Sequence, residues 1–257
     1  MKIYVGTSGW QYYSWYKNFY PHDLKSKDFL KFYSKHFLTV EINTSFYHFT
    51  KKETFEKWKR EVPSNFLFAI KLHRLFTHFR RLKLNKEDKR ILKETINSYK
   101  VLGKNLGPIL IQLPPSLKKD IKLLKNFLKI LHNIRINSQE NSQKNSGKPL
   151  TFAIEFRHKS WLDKEVYEVL KEKKIAFVIS DSPRWPTDII KTTNFVYVRF
   201  HGKPKLFASK YSFKELEDYY RKIKNLKPKI IFVYFNNDFE GYAVDNAFDF
   251  QKIIKND

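Results

Sequence analysis

Short apolar runs recur along the chain, and polar residues follow each of them on its C-terminal side. The run at 152–154 leads to Glu155 and Arg157, and the run at 195–198 leads to Arg199 and His201. Uniformly apolar runs of this length are typical of strands buried on both faces of a parallel sheet. Eight such strands are predicted, at residues 3–5, 39–40, 66–70, 110–111, 152–154, 176–179, 195–198 and 230–235.

Helical patterns separate the apolar runs. Thr50 to Glu53 and Ser212 to Glu215 match the capping box, in which a hydroxyl and a carboxylate satisfy the first backbone amides of a helix. Apolar spacing predicts further helices near 26–36, 85–100, 119–132, 163–173 and 242–254. Strands that alternate with helices predict an α/β fold, a single (β/α)8 barrel of the TIM type. Pro183 and Pro186 predict that the helix after strand six is irregular or missing.

The length of the chain agrees with one barrel. A chain of 257 residues is close to the roughly 250 that such a barrel needs, so we expect a single domain over residues 1–257. Residues 137–147 are polar and low in complexity, and we expect them to form a mobile surface loop because they cannot bury enough apolar area.

Composition excludes some classes of site and compartment. The chain has no cysteine, so disulfides and thiolate metal ligands are excluded. No apolar stretch approaches the roughly 20 residues that a membrane span requires, and no signal-peptide pattern opens the chain. We therefore expect a cytoplasmic protein that has no membrane partner; the oligomeric state is not predicted.

The formal net charge of +24 has two interpretations. A strongly positive field favours binding of a polyanion such as nucleic acid, because lysine and arginine displace counterions from phosphates. However, lysine supplies 40 of the 50 basic residues, as a codon bias toward AT-rich sequence would also produce. Charge alone therefore does not establish nucleic-acid binding.

Several short motifs carry a resemblance to a known family. Val5 to Trp10 opens the series, and Tyr242 to Ala247 lies near its end. The motifs between them lie at residues 15, 19–21, 40–43, 46–47, 68–71, 77–78, 81–82, 112–115, 155–158, 160–161, 197–199, 201–202 and 234–238. Because they occur in order over nearly the whole chain, the sequence resembles the YecE-like family, also called domain of unknown function 72.

The resemblance implies a barrel of eight parallel strands and implies little about activity. A relation to metal-dependent endonucleases has been suggested for the family. It rests on a shared type of fold, and a shared fold does not imply a shared function. The chain departs from the family pattern at Lys17, where glycine is usual, and at Phe49 and Thr50, where leucine and proline are usual. Both departures lie in loops over the expected site, so they bear on substrate fit more than on the fold.

The polar residues at the strand ends form the candidate site, since the C-terminal mouth of such a barrel carries the chemistry. Two arginines near one point suit bidentate binding of phosphate or carboxylate, and a lysine beside a glutamate suits proton transfer. The candidate catalytic residues are Glu41, Glu155, Asp181 and His201. The candidate substrate-binding residues are Trp10, Tyr47, Lys71, Gln112, Arg157, Arg199 and Asn236.

Within this set the residues have different expected roles. Arg157, Arg199 and Lys71 are expected to bind the anion, and Glu155 or Glu41 to act as general base. His201 or Asp181 would assist, while Asn236 and Gln112 would orient the ligand. The alternative is a ring of ion pairs that only fills the top of the barrel. The aromatic residues of the first two loops are expected mainly to pack over the barrel, with Trp10 and Tyr47 as ligand contacts.

No cofactor or metal residue is predicted. Neither HxH nor HExxH occurs, and the three cations would repel a metal ion, although a divalent metal stays open as an alternative. The first functional hypothesis is an enzyme acting on a phosphorylated or anionic substrate, with phosphodiester hydrolysis on nucleic acid as its specific form. The alternatives are a nucleic-acid-binding protein without catalysis and a sugar or small-acid isomerase or lyase.

Overall fold

Eight parallel strands form one sheet in the computed structural model, which describes residues 1–140 and 149–257. The strands are β1 (Lys2–Thr7), β2 (Thr39–Ile42), β3 (Leu67–Lys71), β4 (Leu106–Gln112), β5 (Phe152–Glu155), β6 (Ala176–Asp181), β7 (Phe195–Phe200) and β8 (Ile230–Phe235). The order of pairing is β1-β8-β7-β6-β5-β4-β3-β2. This confirms the predicted (β/α)8 barrel.

The barrel closes between β1 and β2 through a single bridge, which joins Ser8 to Glu41. Gly6 makes this approach possible, because a Cβ atom at its position would lie 2.1 Å from the carbonyl oxygen of Thr39. The first strand can therefore reach the second only where it has no side chain. On its other edge, β1 pairs with β8 along its whole length, from Lys2 opposite Ile230 to Thr7 opposite Phe235.

Helices connect most of the strands and cover the outside of the sheet. They are α1 (Phe29–His36), α2 (Thr44–Tyr47), α3 (Lys52–Glu61), α4 (Lys86–Tyr99), α5 (Ile121–Glu140), α6 (Lys164–Glu172), α7 (Phe213–Lys224) and α8 (Tyr242–Lys255). Residues 182–194, between β6 and β7, contain no helix, as the two prolines predict. Thr192 fixes this segment, because its hydroxyl donates to the carbonyl of Ile175 and accepts from the amide of Phe177.

Two predictions of local structure differ in outcome. The capping box at Ser212 and Glu215 is confirmed, with both reciprocal hydrogen bonds present. The capping box at Thr50 is wrong, because α3 begins at Lys52 and Lys51 is its N-cap residue, without a side-chain hydrogen bond. Part of the predicted loop at 137–147 is helical, since α5 continues to Glu140, and residues 141–147 lie outside the described residues.

The inside of the barrel is filled by aliphatic and aromatic side chains. The interior cluster consists of Leu67, Ala69, Leu110, Ala153, Ala176, Val178, Tyr197, Phe232 and Tyr234. A second, larger core lies between the sheet and the helices, and it includes aromatic residues of the first loop such as Trp15 and Tyr20. None of the helices within the described ranges has the length and apolar character needed to cross a bilayer.

Candidate functional site

The alternation of side chains along the strands brings a set of polar residues to the inner face of the barrel mouth. Ala69, Leu110, Ala153 and Tyr197 line the barrel interior, and residues two positions further along a strand lie on the same face. Those positions are Lys71, Gln112, Glu155 and Arg199, which together form the last inner layer before the loops. All four side chains are buried.

Arg199 lies at the centre of this layer and joins two carboxylates. Its Nη2 donates to Oε1 of Glu41 over 2.7 Å, and its Nη1 donates to Oε2 of Glu155 over 2.5 Å. Arg199 is 1% exposed and both carboxylates are 0% exposed. The guanidinium therefore connects β2, β5 and β7 inside the barrel, where the low dielectric makes such pairs strong and their loss costly.

Hydroxyl groups complete the surroundings of Glu41. Ser8 donates to Oε1 over 2.5 Å, and Tyr197 donates to Oε2 over 2.6 Å. Burial alone would raise the pKa of Glu41, but Arg199 and these two hydroxyls lower it below its ordinary value. Glu41 is thus a fixed negative charge near neutral pH.

Glu155 binds a second arginine at its other oxygen. Arg157 donates from Nε to Oε1 of Glu155 over 2.7 Å, and its guanidinium lies 3.9 Å from the ring centroid of Trp185. Burial would raise the pKa of Glu155, but Arg157 and Arg199 outweigh this effect and hold it well below its ordinary value. Since the side chain of Arg157 is 13% exposed, it is the arginine of the pair that reaches solvent.

Lys71 differs from the arginines because its amine has no acidic partner. Within the described parts of the chain, no carboxylate lies within 4 Å of Nζ and Nζ makes no hydrogen bond. Nζ lies over the ring of Phe46, 3.9 Å from its centroid. Burial, reinforced by repulsion from Arg199 and Arg157, lowers the pKa of Lys71 to about 7. A lysine in this state exchanges a proton readily near neutral pH.

His201 follows β7 and is held neutral. Asn236 donates from Nδ2 to Nδ1 of His201 over 3.0 Å, which places the imidazole hydrogen on Nε2, 3.6 Å from Oε1 of Glu155. Burial, reinforced by Arg199, lowers the pKa of His201 to about 4. Its imidazole is therefore a neutral hydrogen-bond donor at physiological pH.

Three buried acceptor oxygens at the C-terminal ends of the strands have no partner among the described residues. They are Oε1 of Gln112, at the end of β4, Oδ1 of Asn43, directly after β2, and Oδ1 of Asn237, just after β8. Buried polar atoms in folded proteins are almost always hydrogen-bonded, and an unpartnered one calls for a water or a ligand. All three oxygens lie at or just after strand ends, where a bound molecule would supply donors.

The structure does not bring Asp181 into this cluster, although the sequence predicts it there. Ser180 lies on the inner face of β6, so Asp181 faces outward, where its carboxylate accepts from Tyr211 over 2.6 Å and from Tyr219 over 2.5 Å. Lys203 also forms an ion pair with it. Asp181 therefore connects β6 to α7 and to the loop before α7.

The two aromatic candidates occupy different positions. Trp10 is 5% exposed and packs edge-on against Trp58, with ring centroids 5.1 Å apart, so it belongs to the core. Tyr47 is 51% exposed, and the guanidinium carbon of Arg74 lies 5.4 Å from its ring centroid. Only Tyr47 is thus available at the rim of the mouth.

Sequence reasoning missed several residues of the site. Ser8 and Tyr197 bind Glu41, and the position of Tyr197 two residues before Arg199 on the same strand is a signal that could have found it. His78 lies near Lys71 and Arg157, and burial together with these cations lowers its pKa to about 4. Asp238, after β8, accepts a hydrogen bond from Trp15 over 2.6 Å, and burial raises its pKa to about 7.

The sequence leaves a divalent metal open as an alternative. Within residues 1–140 and 149–257, no group of three or more histidine, cysteine, aspartate or glutamate side chains is arranged to hold a metal ion.

Comparison with known proteins decides the family. The family model described as protein of unknown function DUF72 matches residues 4–257. The chain belongs to this family. This confirms the resemblance seen in the sequence, because the YecE-like family is the same group under another name.

Relatives of the DUF72 family agree over nearly the whole chain. The UPF0759 protein YunF of Bacillus subtilis is 27% identical over 280 residues, which cover 95% of this chain and 92% of the relative. A DUF72 family protein from Thermotoga maritima has 30% identity and a TM-score of 0.83, covering 99% of this chain and 100% of that one. A DUF72 family protein from Enterococcus faecalis has 22% identity and a TM-score of 0.79, covering 98% of this chain and 95% of that one, and supports the fold alone.

Proposed function

We propose that this protein is an enzyme that binds a small anionic substrate at the C-terminal mouth of the barrel and transfers a proton on it. The single observation that carries the proposal is the amine of Lys71, which is buried among arginines without a carboxylate of its own. Buried cations are normally paired, and a cation without a partner at a barrel mouth is a site for an anion.

The charges of the inner layer support an anionic substrate. Glu41 and Glu155 offset the charges of Arg157 and Arg199 through direct ion pairs. Protonated Lys71 then leaves one positive charge in excess, next to the partly exposed guanidinium of Arg157. A carboxylate or phosphate group bound between these two side chains would remove that excess, and Arg157 could bind it with its free terminal nitrogens.

The proposed roles follow from the pKa of each group. Lys71 serves as the acid–base group, since its pKa of about 7 allows it both to accept and to release a proton at neutral pH. Glu41 and Glu155 have lowered pKa values and bonded oxygens, which suits them to holding Arg199 in place. Neutral His201 offers a hydrogen-bond donor, and the free oxygen of Gln112 offers an acceptor.

Burial favours a small substrate over a duplex. The carboxylates and His201 are 0% exposed and Lys71 is 8% exposed, so these side chains are accessible to a small molecule more readily than to a duplex. Of the functions that the sequence leaves open, an isomerase or lyase of small acids or phosphorylated sugars fits this geometry best.

The test is anion binding by the purified protein with matched variants. Phosphate, malonate and glycolate are titrated by calorimetry at pH 6.5 and fixed ionic strength. Lys71→Met and Arg157→Met are expected to weaken binding at least about tenfold, because each removes a desolvated cation. Lys125→Met, which removes an exposed cation, is the control and is expected to leave binding unchanged. Equal loss in all three variants would contradict the proposal.

Phosphodiester hydrolysis on nucleic acid is a second candidate function, favoured by the rim of the mouth. Tyr47 and Phe79 are 51% and 63% exposed, and the guanidinium of Arg74 lies 5.4 and 5.2 Å from their ring centroids. Exposed rings beside cations are typical of surfaces on which single-stranded bases stack. The net charge of +24 would concentrate such a substrate.

A gel assay separates the nucleic-acid functions. End-labelled single-stranded, duplex and abasic DNA and RNA are presented to the wild type and to Glu155→Gln, with and without divalent metals. Cleavage by the wild type alone would support a nuclease at this site. Shifted but uncut substrate, with steep dependence on salt, would instead support non-catalytic binding.

A further inference from the structure

We propose that Lys71 forms a Schiff base with an aldehyde or ketone substrate that also carries an anionic group. This inference rests on the proposed function and deepens it, because it names the class of substrate and assigns a covalent role to the side chain that holds the excess positive charge.

The amine of Lys71 is held in position but is not bound by another polar group of the described residues. Its backbone is held at the end of β3, where its carbonyl accepts from the hydroxyl of Ser45 over 2.7 Å. The side chain extends to the ring face of Phe46, and its Nζ has no ion pair or hydrogen bond among the described residues. A nucleophile needs an accessible lone pair in a defined position, and this arrangement provides one.

Other lysines with buried or partly buried stems differ from Lys71. Lys119 binds Asp163 over 3.0 Å, and Lys59 donates to the carbonyl of Val101 over 3.1 Å. Such partners stabilise the ammonium form, which has no lone pair. Around Lys71, burial and two arginines oppose protonation more strongly than Glu155 and Glu41 favour it.

The charges that face Lys71 come from four elements. Arg199 on β7 and Arg157 after β5 oppose its positive charge, while Glu155 and Glu41 favour it more weakly, and burial opposes it most. His78, on the turn after β3, has a lowered pKa and adds no positive charge near neutral pH. With a pKa of about 7, a large fraction of Lys71 is the free amine at neutral pH, as it is in enzymes that activate a lysine beside another cation.

The covalent step balances without a cofactor or an oxidant. The lone pair of Nζ attacks the carbonyl carbon and forms a C–N bond, and a proton moves from nitrogen to oxygen to give a carbinolamine. The carbinolamine oxygen then takes up one proton from the solvent, the C–O bond breaks, water leaves, and a protonated imine remains. This cation withdraws electrons from the neighbouring carbon, which makes a C–H or C–C bond there easier to break.

Neighbouring side chains suit the two ends of such a substrate. Lys71 pairs in register with Leu110, so Gln112 lies two residues further along β4 on the same inner face. The unpartnered Oε1 of Gln112 would accept a hydrogen bond from the N–H of the imine. Arg157, the partly exposed arginine, would bind the carboxylate or phosphate of the substrate.

The experiment traps the imine with a simple anionic aldehyde. The full-length protein is incubated with glyoxylate and sodium cyanoborohydride at pH 7, which reduces an imine to a stable carboxymethyl-lysine. Peptide mass spectrometry then gives the rate of modification at each lysine. We expect Lys71 to react at least about tenfold faster than exposed Lys125, because little of an ordinary lysine is free amine at this pH. The ratio of the rate at Lys71 to the rate at Lys125 is expected to fall at pH 10, where much more of an ordinary lysine is free amine.

Matched measurements test the role of the anion and of the amine. Acetaldehyde, which has no charge, is expected to keep the part of the preference that comes from the free amine and to lose the part that comes from the bound anionic group, and Arg157→Met is expected to reduce the preference for glyoxylate. Lys71→Arg keeps the charge but not the nucleophile. It is expected to lose the trapped adduct while its circular dichroism spectrum stays that of the wild type.

The outcomes separate this inference from the proposed function. Modification of Lys71 no faster than that of Lys125 would overturn the Schiff base. If anion binding still depended on Lys71 in that case, the proposed function would stand. If neither trapping nor Lys71-dependent anion binding occurred, both would be overturned.

Discussion

Arg199 and Glu41 are 158 residues apart in the sequence, yet Nη2 of the arginine lies 2.7 Å from Oε1 of the glutamate. The pair lies inside the barrel near the seam, which is the junction between β1 and β2 that a single bridge closes. Glu41 is also the residue of β2 that forms this bridge with Ser8. The same ion pair therefore contributes to the closure of the fold and to the electrostatics of the candidate site.

We expect Glu41→Gln to destabilise the protein by roughly 3 kcal/mol, since it leaves buried Arg199 and Arg157 with only the charge of Glu155 to offset them. The free energy of unfolding in urea measures the effect. The control is Glu94→Gln, which breaks an ion pair with Arg90 whose side chains are 58% and 59% exposed. There we expect less than about 1 kcal/mol. Equal losses in the two variants would show that Glu41 has no special role in the fold.

Lys71→Met is expected to stabilise the fold at low pH. The pKa of Lys71 is about 7 in the folded protein against an ordinary 10.5, so between these values only the unfolded chain binds the proton. Stability from this group therefore rises with pH from about 7 to 10.5 and is lowest below pH 7. The variant should gain roughly 2–4 kcal/mol at pH 6 and much less at pH 10.

Thermal unfolding at the two pH values checks this expectation. Lys125→Met serves as the reference, because replacing an exposed lysine should change stability by less than about 0.5 kcal/mol at either pH. A gain for Lys71→Met that is the same at pH 6 and pH 10 would mean that the amine is protonated in the folded state over the whole range.

His201 is expected to stay neutral down to about pH 4. Its pKa falls from an ordinary 6.5 to about 4 through burial and the charge of Arg199. Between these values the unfolded chain binds more protons, so this group lowers stability as the pH falls from 6.5 to 4. An NMR titration of the imidazole Cε1–H signals, with His201→Asn to identify the resonance, should show no inflection for His201 above pH 5. An inflection near 6.5 would contradict the assignment of a neutral donor.

Gly6→Ala is expected to cost about 3 kcal/mol, because the new Cβ would lie 2.1 Å from the carbonyl oxygen of Thr39 and neither backbone can move away without opening the seam. Gly107→Ala, in β4, is the matched comparison. Its Cβ would lie 3.0 Å from the carbonyl oxygen of Phe68, for which we expect about 1 kcal/mol. Urea unfolding of both variants measures the difference, and similar costs would show that the seam tolerates a side chain.

The strand ends could be predicted from the sequence because buried parallel strands are short and apolar, and the residues that follow them are polar. Because both faces of such a strand are buried, the sequence does not show which side chains point into the barrel and which point toward the helices. In β6 all six residues are buried on one face or the other, so the apolar pattern has no alternation. Nothing in it indicates that Ser180 faces the barrel and Asp181 faces α7. The wrong placement of Asp181 has this cause.

The partners of the central charges were harder to predict than the charges. Arg199 and Glu155 lie at recognisable strand ends. Tyr197 lies inside an apolar run, so the pattern predicts a core residue and gives no sign that its hydroxyl binds Glu41. The burial of Trp10 depends on its contact with Trp58, which comes from a different part of the chain. Such contacts depend on the tertiary arrangement, and local patterns do not contain them.

The pairing of β1 with β8 affects the order in which the protein can fold during its synthesis on the ribosome. The first strand to be synthesised, Lys2–Thr7, has its ladder partner at Ile230–Phe235, almost at the other end of the chain. During translation, the edge of β1 that pairs with β8 therefore stays without its partner strand until nearly every other element has emerged. The arginine-centred charge cluster does not depend on this pairing, because Arg199 forms its ion pairs with residues of β2 and β5, so all of its members have emerged before β8 completes the ladder of β1.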